Sequence, residues 1–534
     1  YKQEIHGLCS LGYIYRRHGK LSEGIRYHKK AIAAARKIGD KEGEADNLCQ
    51  WGCINWMRGD YELALKHLKR ALKISRGIGN RSYEASVLYN IGGTYALVAD
   101  FRKALRYLEH SLRLRQQTTS KHEIRRSKAG YQSQIGGLYA YDGESRKAEV
   151  QHGRAIRTMK QMGDKYNMVW ALLGMAKSQL DQGKCAAALA CCRQPLEFSK
   201  QTQDRRLEHA ALQCIGTIHY NLGDFAVAYN YFKQTLKRST RMKLHRRIAR
   251  DLFFLGSIFF YQGDYKGALC RLVKALEISK KCRMKNEQYN AQLGLYEIWK
   301  NLGNNKKSIR ILKDMASTLE EPYTSYTYVM HQMDVADLNT RKGRYADARI
   351  FAKKGLVRAK RMNNVTLIMR GLLLLTQIEM SQGLSDSSKR YAEKTLNLAR
   401  KTKRKMDEIQ AHLFLAEINM GCKNYKRSML HAKKACDIAY RCRTKEFLWK
   451  AYNTMGKVYI EKKESSKAKN VLMEAKKIIL QIMKKLDNTN QKWYSNKKEV
   501  RQLNKNLAVV DKLLGTKHLL QQNILKRRAR YHAG

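Results

Sequence analysis

Residues 48–72, LCQWGCINWMRGDYELALKHLKRAL, decide the fold. Tyr61, Ala64, Leu65, Leu68, Ala71 and Leu72 follow an i, i+3, i+4, i+7 spacing, which lays one apolar stripe along an α-helix. Gly59-Asp60 interrupts the chain just ahead of that stripe. Glycine at this point can take the left-handed backbone that ends a preceding helix. Gly52 lies seven residues before the turn and Ala64 five after it. Small side chains there let two helices approach closely, and a larger one would cost about 1–3 kcal/mol per misfit.

The same unit recurs in both directions. The turn appears as Gly19-Lys20, Gly59-Asp60 and Ala99-Asp100, then as Gly143-Glu144, Gly183-Lys184, Gly223-Asp224, Gly263-Asp264, Gly303-Asn304, Gly343-Arg344, Gly383-Leu384, Lys423-Asn424 and Lys463-Glu464. Every step is 40 residues except 99 to 143, which is four longer. Four residues are close to one helical turn, so the insertion need not break the register. The small residue before the turn recurs as Gly12, Gly92, Gly136, Ala176, Gly216, Gly256, Ala336, Ala416 and Gly456. With only two prolines and no Gly/Ser-rich linker in 534 residues, the chain reads as one repeat array, not a string of separate domains.

On these positions the chain resembles the tetratricopeptide repeat family over roughly residues 4–480. Its 40-residue period departs from the family's commoner period of about 34 residues and is similar to the longer-helix variant of kinesin light chains, Pins-type polarity adaptors and bacterial signalling sensors. The resemblance implies an all-α fold, an α-solenoid in which about twelve tandem helix–turn–helix repeats in residues 1–480 wind into a right-handed superhelix. The eighth repeat departs most, with Tyr296, Ser308 and Met315 at small positions, and Pro195 is expected to kink the second helix of the fifth. Residues 481–534 fall outside the pattern. Asn488 to Asn496 reads as a polar loop holding Trp493 and Tyr494. Val500 to Leu514 reads as a helix that caps the open end, followed by a basic tail, Lys526-Arg527-Arg528-Ala529-Arg530.

The resemblance also implies that first helices line a concave groove where the family holds peptides. Carried onto this sequence, the groove positions include Tyr13, Arg16, Arg17, Trp56, Tyr89, Asn90, Tyr141, Trp170, Tyr220, Asn221, Arg250, Phe253, Phe260 and Tyr261. Aromatics of this density suit an apolar or amphipathic peptide. The family's carboxylate clamp is not reproduced, because Asn90 lacks aligned lysine partners in the neighbouring repeats.

Charge points to a second surface. Lys plus Arg total 105 against 46 Asp plus Glu, a net +59, yet the groove positions come out nearly neutral. The excess therefore lies on second helices, in rows such as Lys66, Lys69, Arg70 and Lys73 or Arg102, Lys103 and Arg106. Such rows attract polyanions, either nucleic acid or acidic protein surfaces, weakly and without sequence specificity. No recognition unit for specific nucleic-acid reading is present.

Catalytic, cofactor and metal motifs are absent from the pattern. No G-x-x-x-x-G-K loop or H-E-x-x-H helix occurs. His6, Cys9, Cys49 and Cys53 share one groove face, but the separation of neighbouring helix axes argues against a zinc site there. The twelve scattered cysteines fit buried thiols in a reducing, intracellular and cytoplasmic setting, and no apolar run approaches membrane-spanning length. The chain opens at Tyr1, which fits a piece of a longer protein. Function is thus expected to be non-catalytic. The preferred form is a protein-interaction scaffold with a peptide or partner helix in its groove. The alternatives are the regulatory region of a larger signalling protein (kinase, NTPase, cyclase or transcription activator) and a polyanion binder.

Overall fold

The computed structural model describes residues 1–98, 100–318 and 325–531, and the side chains of all of these except 318 and 515–531. The described residues form 26 helices and no strand. They pair in chain order. The hairpins are α1 (Lys2–Arg17) with α2 (Leu21–Lys37), α3 (Lys41–Arg58) with α4 (Tyr61–Gly77), α5 (Arg81–Leu97) with α6 (Phe101–Thr118), α7 (Lys121–Tyr141) with α8 (Ser145–Gln161), α9 (Lys165–Asp181) with α10 (Cys185–Gln201), and α11 (Arg205–Leu222) with α12 (Phe225–Arg241). They continue as α13 (His245–Tyr261) with α14 (Tyr265–Lys281), α15 (Lys285–Asn301) with α16 (Asn305–Thr318), α17 (Ser325–Arg341) with α18 (Tyr345–Arg361), α19 (Val365–Ser381) with α20 (Ser385–Thr402), α21 (Lys405–Gly421) with α22 (Tyr425–Arg441), and α23 (Lys445–Glu461) with α24 (Ser465–Met483). This is the expected all-α solenoid. The four-residue insertion becomes an extra turn of α7, 21 residues long where most first helices have 17. α10 runs on through Pro195, which is buried. Ala99, expected at the third turn, lies outside the described residues, as do the side chains of Lys526 to Arg530.

Packing inside each hairpin follows the small positions. A Cβ on Gly52 would lie 2.8 Å from Leu68, and one on Gly92 2.7 Å from Leu108, so each leucine of the second helix seats directly on the first helix's backbone. His28 and His152 replace that leucine in the first and fourth repeats and are equally buried.

The superhelix is wound tightly enough that its coils touch. The turn at Gly19 faces Met242, that at Gly143 faces Met362 and Tyr326, and that at Gly263 faces Lys445 and Ile482. Met242, Met362 and Ile482 lie 219 to 223 residues beyond the glycines they face, which corresponds to one superhelical turn in about five and a half repeats. A Cβ on Gly263 would come within 2.9 Å of Ile482, so the residue serves both its left-handed backbone (φ 77°) and the coil above it. At two later turns glycine gives way: Lys423 and Lys463 take the left-handed conformation themselves. The seam has its own apolar cores. Phe225, Phe232 and Phe254 pack with Met406, Ile409, Leu413 and Phe447 from the coil above them. Tyr265 and Leu272 pack with Trp449, Leu472 and Ile482. Ion pairs line it, among them Arg358–Glu144 at 3.1 Å, Lys485–Asp264 at 3.4 Å, and Arg283–Glu62. Solvated pairs of this kind contribute about 0–1 kcal/mol each, so apolar burial carries the closure.

The segment expected as a polar loop is helical instead. Asp487 caps α25 (Asn488–Ser495), accepting the Asn490 amide at 2.9 Å, and the helix buries Tyr494 completely. Its composition is polar because most of its surface is solvated; the one buried ring gives no periodic signal. α26 (Lys498–Tyr531) then lays Val500, Leu503, Leu507 and Val510 in the same core as α24.

Candidate functional site

The coiling brings first helices from opposite walls of the groove within reach of one another. Arg206 at the start of α11 donates to the Tyr166 hydroxyl at 2.7 Å, stacks over Trp170 at 4.6 Å and reaches Met57 Sδ at 3.8 Å, 149 residues away. Arg17 lies over Tyr166 at 5.4 Å, and Arg16 over Tyr13 at 4.8 Å. Between these walls sits a cavity of about 140 Å³ lined by Arg16, Cys53, Trp56, Met57, Leu68, Tyr89, Asn90, Gly93, Thr94, Gln134 and Arg206. Four residues expected in the groove, Arg16, Trp56, Tyr89 and Asn90, therefore meet around one space. Asn90 donates to Cys49 Sγ at 3.3 Å and Tyr89 to the Gly130 carbonyl at 3.4 Å, which fixes both side chains at the cavity wall.

The electrostatics of this wall are one-sided. Among the described residues, Arg16, Arg17, Arg206, Arg250 and Lys177 form no ion pair. A hydrogen bond from Cys49 pulls the Cys53 thiol down; Arg16 and Arg206 help it do so against the effect of burial. Burial, reinforced by the neighbouring Arg206, brings Arg247 down to about 10. Lys177 is lowered by burial, with its ammonium 4.1 Å over the Tyr141 ring. Burial also raises Asp181 to about 6, more than Lys177 and Arg250 can offset. Two nearby carboxylates are already engaged: Glu287 with Arg246 at 2.7 Å, and Asp251 with Gln213 at 2.7 Å and Ser239 at 3.3 Å. The first-coil groove thus presents donors with few acceptors.

Further along, the groove satisfies itself. Tyr289 donates to Asp334 at 2.6 Å, Arg370 pairs with Asp334 at 2.5 Å, and Tyr296 donates to Asp337 while Arg341 donates to the Tyr296 hydroxyl at 3.0 Å. Tyr296, at a small-residue position in the sequence, fills this region and is buried. Tyr220, Phe253, Phe260 and Tyr261 are engaged in the seam: Tyr261 stacks on Phe225 at 5.1 Å and on Phe447 at 6.0 Å, and Tyr220 meets Phe254 at 5.0 Å. Asn221 accepts Arg404 from the second coil at 2.8 Å. Arg250 lies 6.0 Å over Phe254.

Arg206 and Arg246 escape a residue-by-residue transfer from the family. They stand ten residues before the small position of their helices (Gly216, Gly256), on the extra length that a 40-residue period adds. Tyr166, Tyr326 and Glu446 hold the same register, and a search of that column would have found them.

On the outer face, Lys66, Lys69, Arg70, Lys73, Arg102, Lys103 and Arg106 are all exposed. Arg70 pairs with Glu44 at 3.2 Å and Lys103 with Asp100 at 2.8 Å. His6 is exposed and Cys9 donates to Asp46 at 3.2 Å, so these two do not join Cys49 and Cys53 around a common point. No described helix is long and apolar enough to cross a membrane.

Hairpins of 40 residues stacked around a concave groove define a helical-repeat protein. Models of the tetratricopeptide repeat match residues 5–77, 48–117, 208–281 and 450–481, and these segments are tetratricopeptide repeats. No curated protein matches it. Among solved structures, a Rap protein complexed with competence and sporulation factor is similar over 68% of this chain and 100% of that one, at 11% identity and a TM-score of 0.50. The APC/C hetero-tetramer Cut9–Hcn1 is similar over 92% and 96% (12% identity, TM-score 0.46). NprR in complex with its cognate peptide NprX is similar over 66% and 97% (14% identity, TM-score 0.46). At these identities the likeness is one of fold.

Proposed function

We propose that the chain is a non-catalytic protein-interaction scaffold whose first-coil groove holds an extended peptide. An acidic group of the ligand would sit between Arg16 and Arg206, with an apolar side chain against Trp56 and Met57. The observation that carries this reading is the 140 Å³ cavity, where two guanidinium groups without carboxylate partners border aromatic surface. Buried or half-buried guanidinium forks are matched best by carboxylates, and aromatic walls anchor apolar side chains. A Rap protein of the same fold is complexed with competence and sporulation factor, in keeping with a ligand-holding role for such arrays. The reading is the same whether the array acts alone or as the regulatory part of a larger signalling protein.

The test is selection from a short random-sequence peptide pool on the purified chain, with nuclease present. Enriched peptides should carry Asp or Glu next to an apolar residue. Arg206→Ala and Trp56→Ala should each weaken their binding about tenfold or more, the cost of removing an anchor. Enrichment without acidic residues, or binding untouched by both variants, contradicts the proposal. The outer basic rows support a second, weaker role. Lys66, Lys69, Lys73, Arg102 and Arg106 are exposed and form no ion pair among the described residues, which suits loose attraction of polyanions.

A further inference from the structure

Where the first two coils meet, three metal-ligating side chains converge. Asp60 caps the start of α4, His245 opens α13, and Cys282 follows the end of α14. The Asp60 carboxylate makes no capping hydrogen bond, whereas Asp40, Asp100 and Asp264 at corresponding ends do. It turns across the seam instead, and Oδ1 lies 3.7 Å from His245 Nδ1. Cys282 Sγ lies 3.5 Å from the same nitrogen, and all three donor atoms fall within 4.8 Å of one another.

Two chemistries could use a cysteine, a histidine and an aspartate. A nucleophilic relay needs the thiol at one ring nitrogen and the carboxylate at the other. Here both face Nδ1, so a proton cannot pass through the ring from one to the other. A metal ion needs the opposite arrangement, with donors grouped around one point. Zinc bonds of about 2.3 Å to sulfur and about 2.0–2.2 Å to nitrogen and oxygen, at tetrahedral angles, place donors about 3.3–3.6 Å apart. The observed 3.5 and 3.7 Å lie within a few tenths of an ångström of that. A thiolate and a carboxylate also neutralise a divalent ion in a chain of net charge +59. The thiolate selects zinc over magnesium or calcium. Asp60 and His245 keep 33% and 36% of their side-chain surface exposed, which leaves a fourth position for water.

We propose that Asp60, His245 and Cys282 bind a zinc ion that ties the first superhelical coil to the second. The ligands are 37 and 185 residues apart in sequence, so the site exists only when the coils are seated, and metal binding becomes linked to closure of the groove. The ion would stand beside the Arg283–Glu62 pair, adding a strong link where the seam otherwise has a solvated one.

The experiment uses the full chain, reduced and stripped with a chelator, then titrated with Zn2+ against a chromophoric competitor. Alkylation of Cys282 is followed by peptide mass mapping. One equivalent should bind, and Cys282 alkylation should slow by about tenfold or more on zinc addition. Both effects should vanish in Cys282→Ser and in Asp60→Asn, with circular dichroism unchanged. Co2+ should give the thiolate charge-transfer and tetrahedral d–d bands in the wild type and lose the former in Cys282→Ser. Failure to retain zinc overturns the proposal. So does retention that persists in both variants, which would place the ion at other cysteines.

Discussion

Glu446 offers the sharpest perturbation of the seam. Its buried carboxylate accepts from Tyr265 Oη at 2.7 Å, Tyr494 Oη at 2.8 Å, Trp449 Nε1 at 3.1 Å and Lys497 Nζ at 2.8 Å, with Lys450 Nζ at 3.3 Å. It therefore joins α14, α23 of the coil above it and the terminal helices in one knot. Burial alone would raise its pKa. The ammonium groups of Lys497 and Lys450 and the donated hydrogen bonds outweigh that and hold it at about 2, against an ordinary 4.5. A gap of that size corresponds to about 3 kcal/mol. Removing one partner of a buried pair costs a similar amount, about 3–5 kcal/mol. Glu446→Gln keeps the volume but leaves the buried Lys497 ammonium without a counter-charge and turns an amide donor toward other donors. Hydrogen exchange at neutral pH should show amides of α14 and α23 to α26 losing about 3 kcal/mol of protection, with α1 to α8 unchanged, because stability in a solenoid is local. The sign of the pH dependence follows from the depressed pKa. The stabilisation is complete above the unfolded value of 4.5 and disappears as pH falls from there toward 2. The wild-type advantage in urea should therefore shrink across that window. Equal protection in the two proteins at neutral pH, or an advantage that survives at pH about 2, would refute the reasoning.

Three further outcomes are expected. His152 fills a leucine position with neither ring nitrogen hydrogen-bonded, and burial lowers it from 6.5 to about 4; its unprotonated form is the folded one, so stability is complete above pH 6.5 and falls as pH drops from 6.5 toward 4. His152→Leu should flatten the urea midpoint across that window, and a midpoint that still falls as steeply would show that the ring is not the cause. Reversing Lys66, Lys69 and Lys73 to Glu should reduce low-salt binding to heparin or duplex DNA and lower its salt slope by about 0.9 for each phosphate that is no longer neutralised, while leaving peptide selection intact; a salt-independent affinity would remove the outer face from consideration. Gly456→Val should destabilise the last hairpin by about 1–3 kcal/mol, since any Cβ there collides with the buried Leu472; a thermal unfolding profile identical to wild type would contradict the close approach of α23 and α24.

The repeat was legible because it is written in backbone-proximal residues. Gly52, Ala64 and Leu68 must match wherever two helices touch, so they recur at fixed spacing. The coil-to-coil seam was not legible. Its contacts, such as Gly263 with Ile482, join residues 219 apart whose spacing depends on small rotations between successive hairpins, and no single repeat records that rotation. This is why Tyr220, Phe253, Phe260 and Tyr261, correctly placed on first helices, are engaged at the seam. For the groove, Arg16, Trp56, Tyr89 and Asn90 could be read from register, but Arg206 could not, because the family positions stop short of the extra turn on which it stands. The Asp60–His245–Cys282 cluster leaves no local motif at all.

Seating of one coil on the next underlies the groove, the seam and the metal proposal, and cysteine cross-linking tests it most directly. Glu62→Cys and Arg283→Cys, placed together in the full chain, should be joined readily by a short bifunctional thiol reagent that spans the length of the two lost side chains, giving a peptide pair identifiable by mass spectrometry, because the native side chains form an ion pair across the seam. The pair Glu62→Cys and Lys463→Cys should not. Cross-linking at the same slow rate in both pairs would mean that the coils stand apart in solution, and the account of the groove would fall with them.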